Sequence, residues 1–185
     1  MILTSPYTLS LTSNYSTESL NKGTWLVVLH ASRIPPHIGL LIDGSYNSLT
    51  IKGQELDVAI NVLLKTIQLK KIEAIFISLI KQPVFSTSFQ LEIAKHFIQQ
   101  YHQVKANEAT CLTPIKLFLS EFYAIENQKD ELFFQLVERL KQNHYINYAF
   151  GINLNESTDE FALPMYTDTQ LQDIITAERM PYYND

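Results

Sequence analysis

Cys111 is the single cysteine in this chain of 185 residues. One thiol excludes an internal disulfide framework and a cysteine-based zinc site, and it fits a reducing compartment. Glycine is also scarce, with five residues. None is arranged as a phosphate-cradling loop, so nucleotide chemistry has no support. Positive charge is in deficit: 14 Lys and Arg stand against 19 Asp and Glu, a formal net charge of −5. Without a basic stripe there is no electrostatic reason to expect nucleic acid or an anionic membrane surface as partner. No apolar run approaches the roughly 20 residues that cross a bilayer. The first residues lack a basic stretch followed by an apolar one, so no secretory signal is expected. These exclusions lead to a soluble, cytoplasmic protein with no membrane span, and the length suits a single domain over 1–185.

Against that background one stretch stands out, Ile34-Pro35-Pro36-His37-Ile38-Gly39-Leu40-Leu41-Ile42-Asp43-Gly44. Asp43-Gly44 lies between two strand-like runs, 38–42 and 45–51, and Gly accepts the positive φ of a tight turn, so a hairpin is expected. His37 heads the first strand, directly after two prolines that cannot continue a sheet ladder. With a two-residue turn Ile42 faces Ser45, and the ladder sets Thr50 opposite His37, with Ser48 and Lys52 diagonal to it. Asn47 then points to the other face.

Before the hairpin, residues 1–22 suggest one or two edge strands through Ile2, Tyr7, Leu9 and Leu11, and a loop over 13–22. Trp25 to His30 is a near-continuous apolar run, as in a buried central strand. From Gln54 the apolar positions Leu56, Ile60, Leu63, Leu64 and Ile67 predict an amphipathic helix. A strand follows at 72–80. Thr87 and Gln90 have capping-box spacing ahead of a helix through Leu91, Ala94, Phe97, Ile98 and Tyr101. Thr113-Pro114 marks another helix start, with Leu112, Ile115, Leu119 and Phe122 as its buried stripe. Leu132, Leu136, Val137 and Leu140 mark a further helix, 145–153 a strand, and 155–160 a polar loop. Thr167 and Gln170 again have capping-box spacing, before a helix through Leu171, Ile174 and Ile175. The end, 180–183, is expected as a docked or frayed tail.

Cys111 thus falls at, or one residue outside, a helix N-terminus. The helix dipole and the unpaired N–H groups there favour thiolate over thiol, and the same N–H groups can steady an oxyanion. A nearby imidazole would complete an ion pair and later hand its proton to a leaving group. His37 is the candidate for that imidazole.

The segment Pro36-His37-Ile38-Gly39-Leu40-Leu41-Ile42, followed by a hairpin and much later by a cysteine opening a helix, resembles the circularly permuted papain-like hydrolases. This is the NlpC-type branch that includes lecithin–retinol acyltransferase-like proteins. The likeness covers about Trp25 to Tyr123. It implies an α+β fold with a papain-like core of circularly permuted order, a mostly antiparallel sheet packed against helices. The core would span about 23–125, and a C-terminal helix-strand-helix extension about 126–185. It implies Cys111 as nucleophile, His37 as general base and then acid, and a polar third residue, for which Thr50 is the candidate by register. The reaction implied is thiol-dependent hydrolysis or acyl transfer at an amide, thioester or ester bond, with a peptide, amide or acyl small molecule as substrate. Residues around Cys111 do not reproduce a diagnostic cysteine signature, and a hydroxyl at Thr50 stabilises an imidazolium less than a carboxylate would. Two rivals therefore stand beside the hydrolase: a catalytically inactive papain-like fold used as a binding or assembly module, and a small α+β domain unrelated to papain.

The remaining candidates have plainer readings. His30 lies in an apolar strand, as a core or edge histidine does. His96 and His102 are six apart, a spacing that does not put two ligands on one face, and His144 has no neighbour in sequence to pair with. No metal and no cofactor is expected. Glu55 and Asp57 read as helix-start acids. Tyr145, Tyr148 and Phe150 occupy both faces of one strand, as in sheet packing.

Overall fold

The computed structural model describes residues 7–154 and 159–180. In chain order its elements are β1 (Thr8–Ser10), a 3-10 turn (Thr17–Asn21), β2 (Thr24–Leu29), β3 (His37–Ile42), β4 (Ser45–Thr50), β5 (Gly53–Ala59), α1 (Ile60–Lys70) and β6 (Ala74–Leu79). There follow α2 (Thr87–Gln99), α3 (Leu112–Tyr123), α4 (Phe133–Gln142), β7 (Ile146–Ile152), β8 (Glu160–Ala162) and α5 (Asp168–Thr176). The class is α+β: six strands form one antiparallel sheet in the order β5-β4-β3-β2-β6-β7, and β1 pairs with β8 in a separate two-stranded ribbon.

The continuous apolar runs of β2, β3 and β6 require cover on both faces, and every residue of the three strands is buried. Alternation divides them between two layers. Trp25, Val27, Leu29, Leu41, Tyr46 and Phe76 pack with Leu63 and Ile67 of α1 and with Phe150. Leu26, Val28, Ile38, Leu40, Ile42, Ile75 and Ile77 pack on the other side, with Ala94 and Ile98 of α2, Ile115 and Phe118 of α3, Leu136 of α4 and Leu171 of α5. The sheet is therefore the middle layer of three.

The hairpin has the register its turn dictates, with Ile42 opposite Ser45, Leu41 opposite Tyr46 and Leu40 opposite Asn47. Asp43 and Gly44 both have positive φ, 46° and 79°, the combination a two-residue primed turn needs. Asp43 also ties the turn down. Its Oδ1 accepts the Gly23 N–H at 2.8 Å, and its carboxylate accepts the Thr87 hydroxyl.

Several expectations need correction. The stretch from Gln54 to Ala59 is strand, not helix, and the helix opens at Ile60. Leu56 and Val58 alternate, and pairing with β4 overrides the helical spacing of Leu56 with Ile60. Glu55 and Asp57 consequently sit on an edge strand. α2 is capped by Ser86, whose Oγ accepts the Phe89 N–H at 3.2 Å, because the Thr87 hydroxyl is engaged by Asp43. The loop expected over 13–22 contains the 3-10 turn. The strand after residue 125 belongs to the central sheet, where β7 pairs with β6. Thr167 and Gln170 form the capping box their spacing suggests, with bonds of 2.9 and 3.2 Å. Met180 is buried, while 181–183 of the expected tail and 155–158 of the expected polar loop lie outside the described residues.

Gly39 is required for close approach: a Cβ there would lie 2.3 Å from Cε2 of Tyr46, whose ring is fully buried. Gly39→Ala is expected to lower unfolding free energy by about 1–3 kcal/mol in urea denaturation. Combining it with Tyr46→Leu should restore part of that loss, a non-additivity of contacting residues. An unchanged midpoint in the single variant contradicts the packing described.

Candidate functional site

His37 opens β3 opposite Leu29 of β2, and its side chain is wholly buried. Leu29 belongs to the α1 layer, as do Leu41, four residues along β3, and the Tyr46 ring that covers Gly39. Pleat alternation therefore turns the imidazole toward the α1 layer. There its Nε2 lies 3.2 Å from the Ser48 hydroxyl, and Ser48 donates to Oε2 of Glu55 at 2.9 Å. Burial and, secondarily, the neighbouring His30 pull the His37 pKa down to about 3, so the ring is neutral at physiological pH. Burial pushes the Glu55 carboxyl up, opposed by the Ser48 hydrogen bond.

Cys111 is the residue immediately before α3, as its sequence context indicates. It is 4% exposed and packs in the other layer, the one that contains Ile38 and Leu40. Burial drives its thiol up to about 11, although backbone N–H groups of Ile38, Cys111 and Leu112 favour the thiolate. Desolvation is the larger effect, so sulfur keeps its proton at neutral pH. The amides expected to form an oxyanion hole have partners already. Leu112 N–H donates to the Thr110 hydroxyl at 3.2 Å, and Thr113 N–H to the Thr110 carbonyl at 3.1 Å. Tyr166 lies beside this group, its phenol raised chiefly by burial and secondarily by Cys111.

The structure does not bring the three sequence candidates together. Cys111 packs in the layer of Ile38, its sulfur beside the Ile38 backbone, whereas pairing with Leu29 and pleat alternation turn the His37 ring to the α1 side. Thr50 lies beyond the last registered pair of the hairpin, Leu40–Asn47. Its hydroxyl donates to the Gly53 carbonyl at 3.0 Å and accepts the Lys52 N–H at 3.1 Å, closing the β4–β5 turn. Ser48, diagonal to His37 in the expected ladder, makes the contact to the ring. On the other edge of β4 a register shift between Tyr46 and Ser48 sets Ser48 opposite Glu55.

Two surface clefts lie apart from His37, and one of them adjoins the segment that carries Cys111. One, of about 550 Å³, opens between the starts of α3, α4 and α5 and is lined by residues including Thr110, Thr113, Lys116 and Gln172. The Lys116 ammonium is held there by the carbonyls of Gln128, Lys129 and Glu131 at 2.5, 2.8 and 3.4 Å, and burial lowers its pKa. The other, about 530 Å³, adjoins a two-bond ion pair in which Arg139 donates to Glu131 at 2.7 and 2.6 Å. Neither the Lys116 cage nor this ion pair was visible in local sequence patterns, since the partners of each are set by how the 124–132 connection folds back. Among the described residues no group of three or more His, Cys, Asp or Glu is placed to hold a metal, and no helix is long and apolar enough to cross a membrane.

The sign of the His37 linkage is fixed by a folded pKa of about 3 below the ordinary 6.5. Its contribution to stability is full above 6.5 and is lost progressively as pH falls toward 3, because unfolding takes up a proton. Glu55, raised when folded, has the opposite sign: its contribution is lost as pH rises. Between pH 6.5 and about 5 the His37 contribution falls with a slope of at most about 1.4 kcal/mol per pH unit, reduced by the opposite slope of Glu55. His37→Leu should flatten that slope in urea melts; an equal slope in the variant contradicts the buried neutral ring. Comparison of the chain with protein-family models, with curated proteins and with solved structures finds no match.

Proposed function

We propose that this chain is a binding or assembly module rather than a thiol hydrolase, with Cys111 and His37 serving the packing of the fold. What carries this reading is the pleat: His37 pairs with Leu29 of the α1 layer, while Cys111 packs in the other layer. General base catalysis needs heavy atoms within about 3.2 Å, or one bridging water, and the pleat directs these two side chains to different sides of β3. Their protonation supports the same reading. A thiol pushed up to about 11 is a poor nucleophile near neutrality, and an imidazole pulled down to about 3 is a weak base.

The circularly permuted papain-like origin remains part of the proposal, resting on the order of elements around His37 and Cys111 alone. A cytoplasmic setting is proposed too, supported by a buried, unpaired thiol. The net charge of −5 favours a protein or small-molecule partner over nucleic acid.

The distinguishing experiment is alkylation of Cys111 by a thiol-reactive probe near neutral pH. Labelling at least about tenfold slower than free cysteine is expected, since both thiolate fraction and access are reduced. His37→Gln should leave that rate unaccelerated and show no loss of an activated thiol. Labelling faster than free cysteine, abolished in His37→Gln, would overturn the binding reading and restore the hydrolase.

A further inference from the structure

The Ser48 hydroxyl carries one proton and donates it to Oε2 of Glu55 at 2.9 Å. Its contact with Nε2 of His37 at 3.2 Å must then be one in which the ring donates. That leaves Nδ1 as the bare nitrogen, and Nδ1 has no hydrogen-bond partner among the described residues. Nothing on the Nδ1 side therefore opposes a change of tautomer. The Ser48–Glu55 side is the only one that selects it.

We propose that Glu55, on the edge strand β5, sets which nitrogen of the buried His37 carries the proton, acting through the Ser48 hydroxyl. With the carboxylate ionised, Ser48 donates to Glu55 and His37 is protonated on Nε2. With the carboxyl protonated, Glu55 donates to Ser48, Ser48 donates to Nε2, and the ring proton is on Nδ1. The exchange balances as a three-step relay. Water admitted when the buried site opens transiently delivers a proton to Nδ1, the Nε2 proton passes to the Ser48 oxygen, and the Ser48 proton passes to the Glu55 carboxylate. One proton enters and one is delivered, and the ring and the hydroxyl are neutral at both ends.

The surroundings suit such a relay. Glu55 is half-buried, so solvent reaches the outer end, while the ring at the inner end is wholly buried. His30, just past β2, is the ionisable group whose charge bears on His37, and it disfavours an imidazolium, keeping the ring neutral in either tautomer. On β4 the same face carries the Tyr46 phenol, and α1 contributes Leu63 and Ile67. Asp57, further along β5, is engaged by Lys95 at 3.3 Å and by the Ser45 hydroxyl at 3.0 Å. The relay thus couples the protonation state of Glu55 at the sheet edge to a change from acceptor to donor at Nδ1, two strands inward.

The test is nitrogen-15 NMR of the histidine ring in the full chain, with the Glu55 carboxyl followed by carbon-13. At neutral pH the expected pattern is protonated Nε2 and bare Nδ1. The two nitrogens should exchange their shifts with the same midpoint as the Glu55 carboxyl, and Ser48→Ala should abolish that shared midpoint. Protonation on Nδ1 at neutral pH overturns the proposal. So does a tautomer that stays fixed while Glu55 titrates, or an imidazolium appearing in its place. If Ser48→Ala does not fold, the wild-type titration decides alone.

Discussion

Successive side chains of an extended strand point to opposite sides of its sheet, and β3 is a buried strand covered on both sides. His37 and Ile38 are neighbours in the chain, yet one joins the layer containing α1 and the other the layer containing α2 to α5. Cys111, delivered by α3 to the Ile38 side, approaches β3 from the face that His37 leaves. A single residue of register decides whether thiol and imidazole meet. That constraint governs the protonation of both groups, because each is desolvated in a separate layer without the other to compensate it.

What replaces a catalytic pair is two separate polar arrangements. On one face His37, Ser48 and Glu55 form a chain running outward through β4 to β5. On the other side of the molecule Lys116 and Arg139 gather the 124–132 connection, the first through three backbone carbonyls and the second through the Glu131 carboxylate. Breaking a buried charged pair by removing one partner is strongly destabilising. These groups therefore tie the helical layer to a defined geometry, and they give the cleft between α3, α4 and α5 a polar wall that is already engaged.

Much of the fold was legible in the sequence because it depends on local rules. Asp43-Gly44 specifies its turn and therefore the Ile42–Ser45 register, the apolar run at Trp25–Leu29 specifies a strand covered on both faces, and Thr167 with Gln170 specifies a helix start. The site was legible only in part. Leu56 fits both a helical and an alternating pattern, and pairing with β4 chose the strand, which set Glu55 beside Ser48. Thr50 follows from an ideal ladder, but registered β3–β4 pairing ends at Leu40–Asn47 and the β4–β5 turn captures the Thr50 hydroxyl, which leaves Ser48 as the partner of His37. The position of Cys111 before α3 is a local property, whereas the face on which α3 packs is set by the whole layer of Ile115, Phe118 and Leu119 and appears in no short motif.

Vibrational spectroscopy of the Cys111 S–H bond addresses the separation of thiol and imidazole most directly, since the chain has no other sulfhydryl. The S–H stretch should persist from about pH 5 to 9, with the sulfur protonated throughout, because burial outweighs the backbone N–H groups that favour thiolate. Loss of the S–H band at or below neutral pH, accompanied by protonation of His37, would show that the two groups share a proton across a site the sheet is described as dividing.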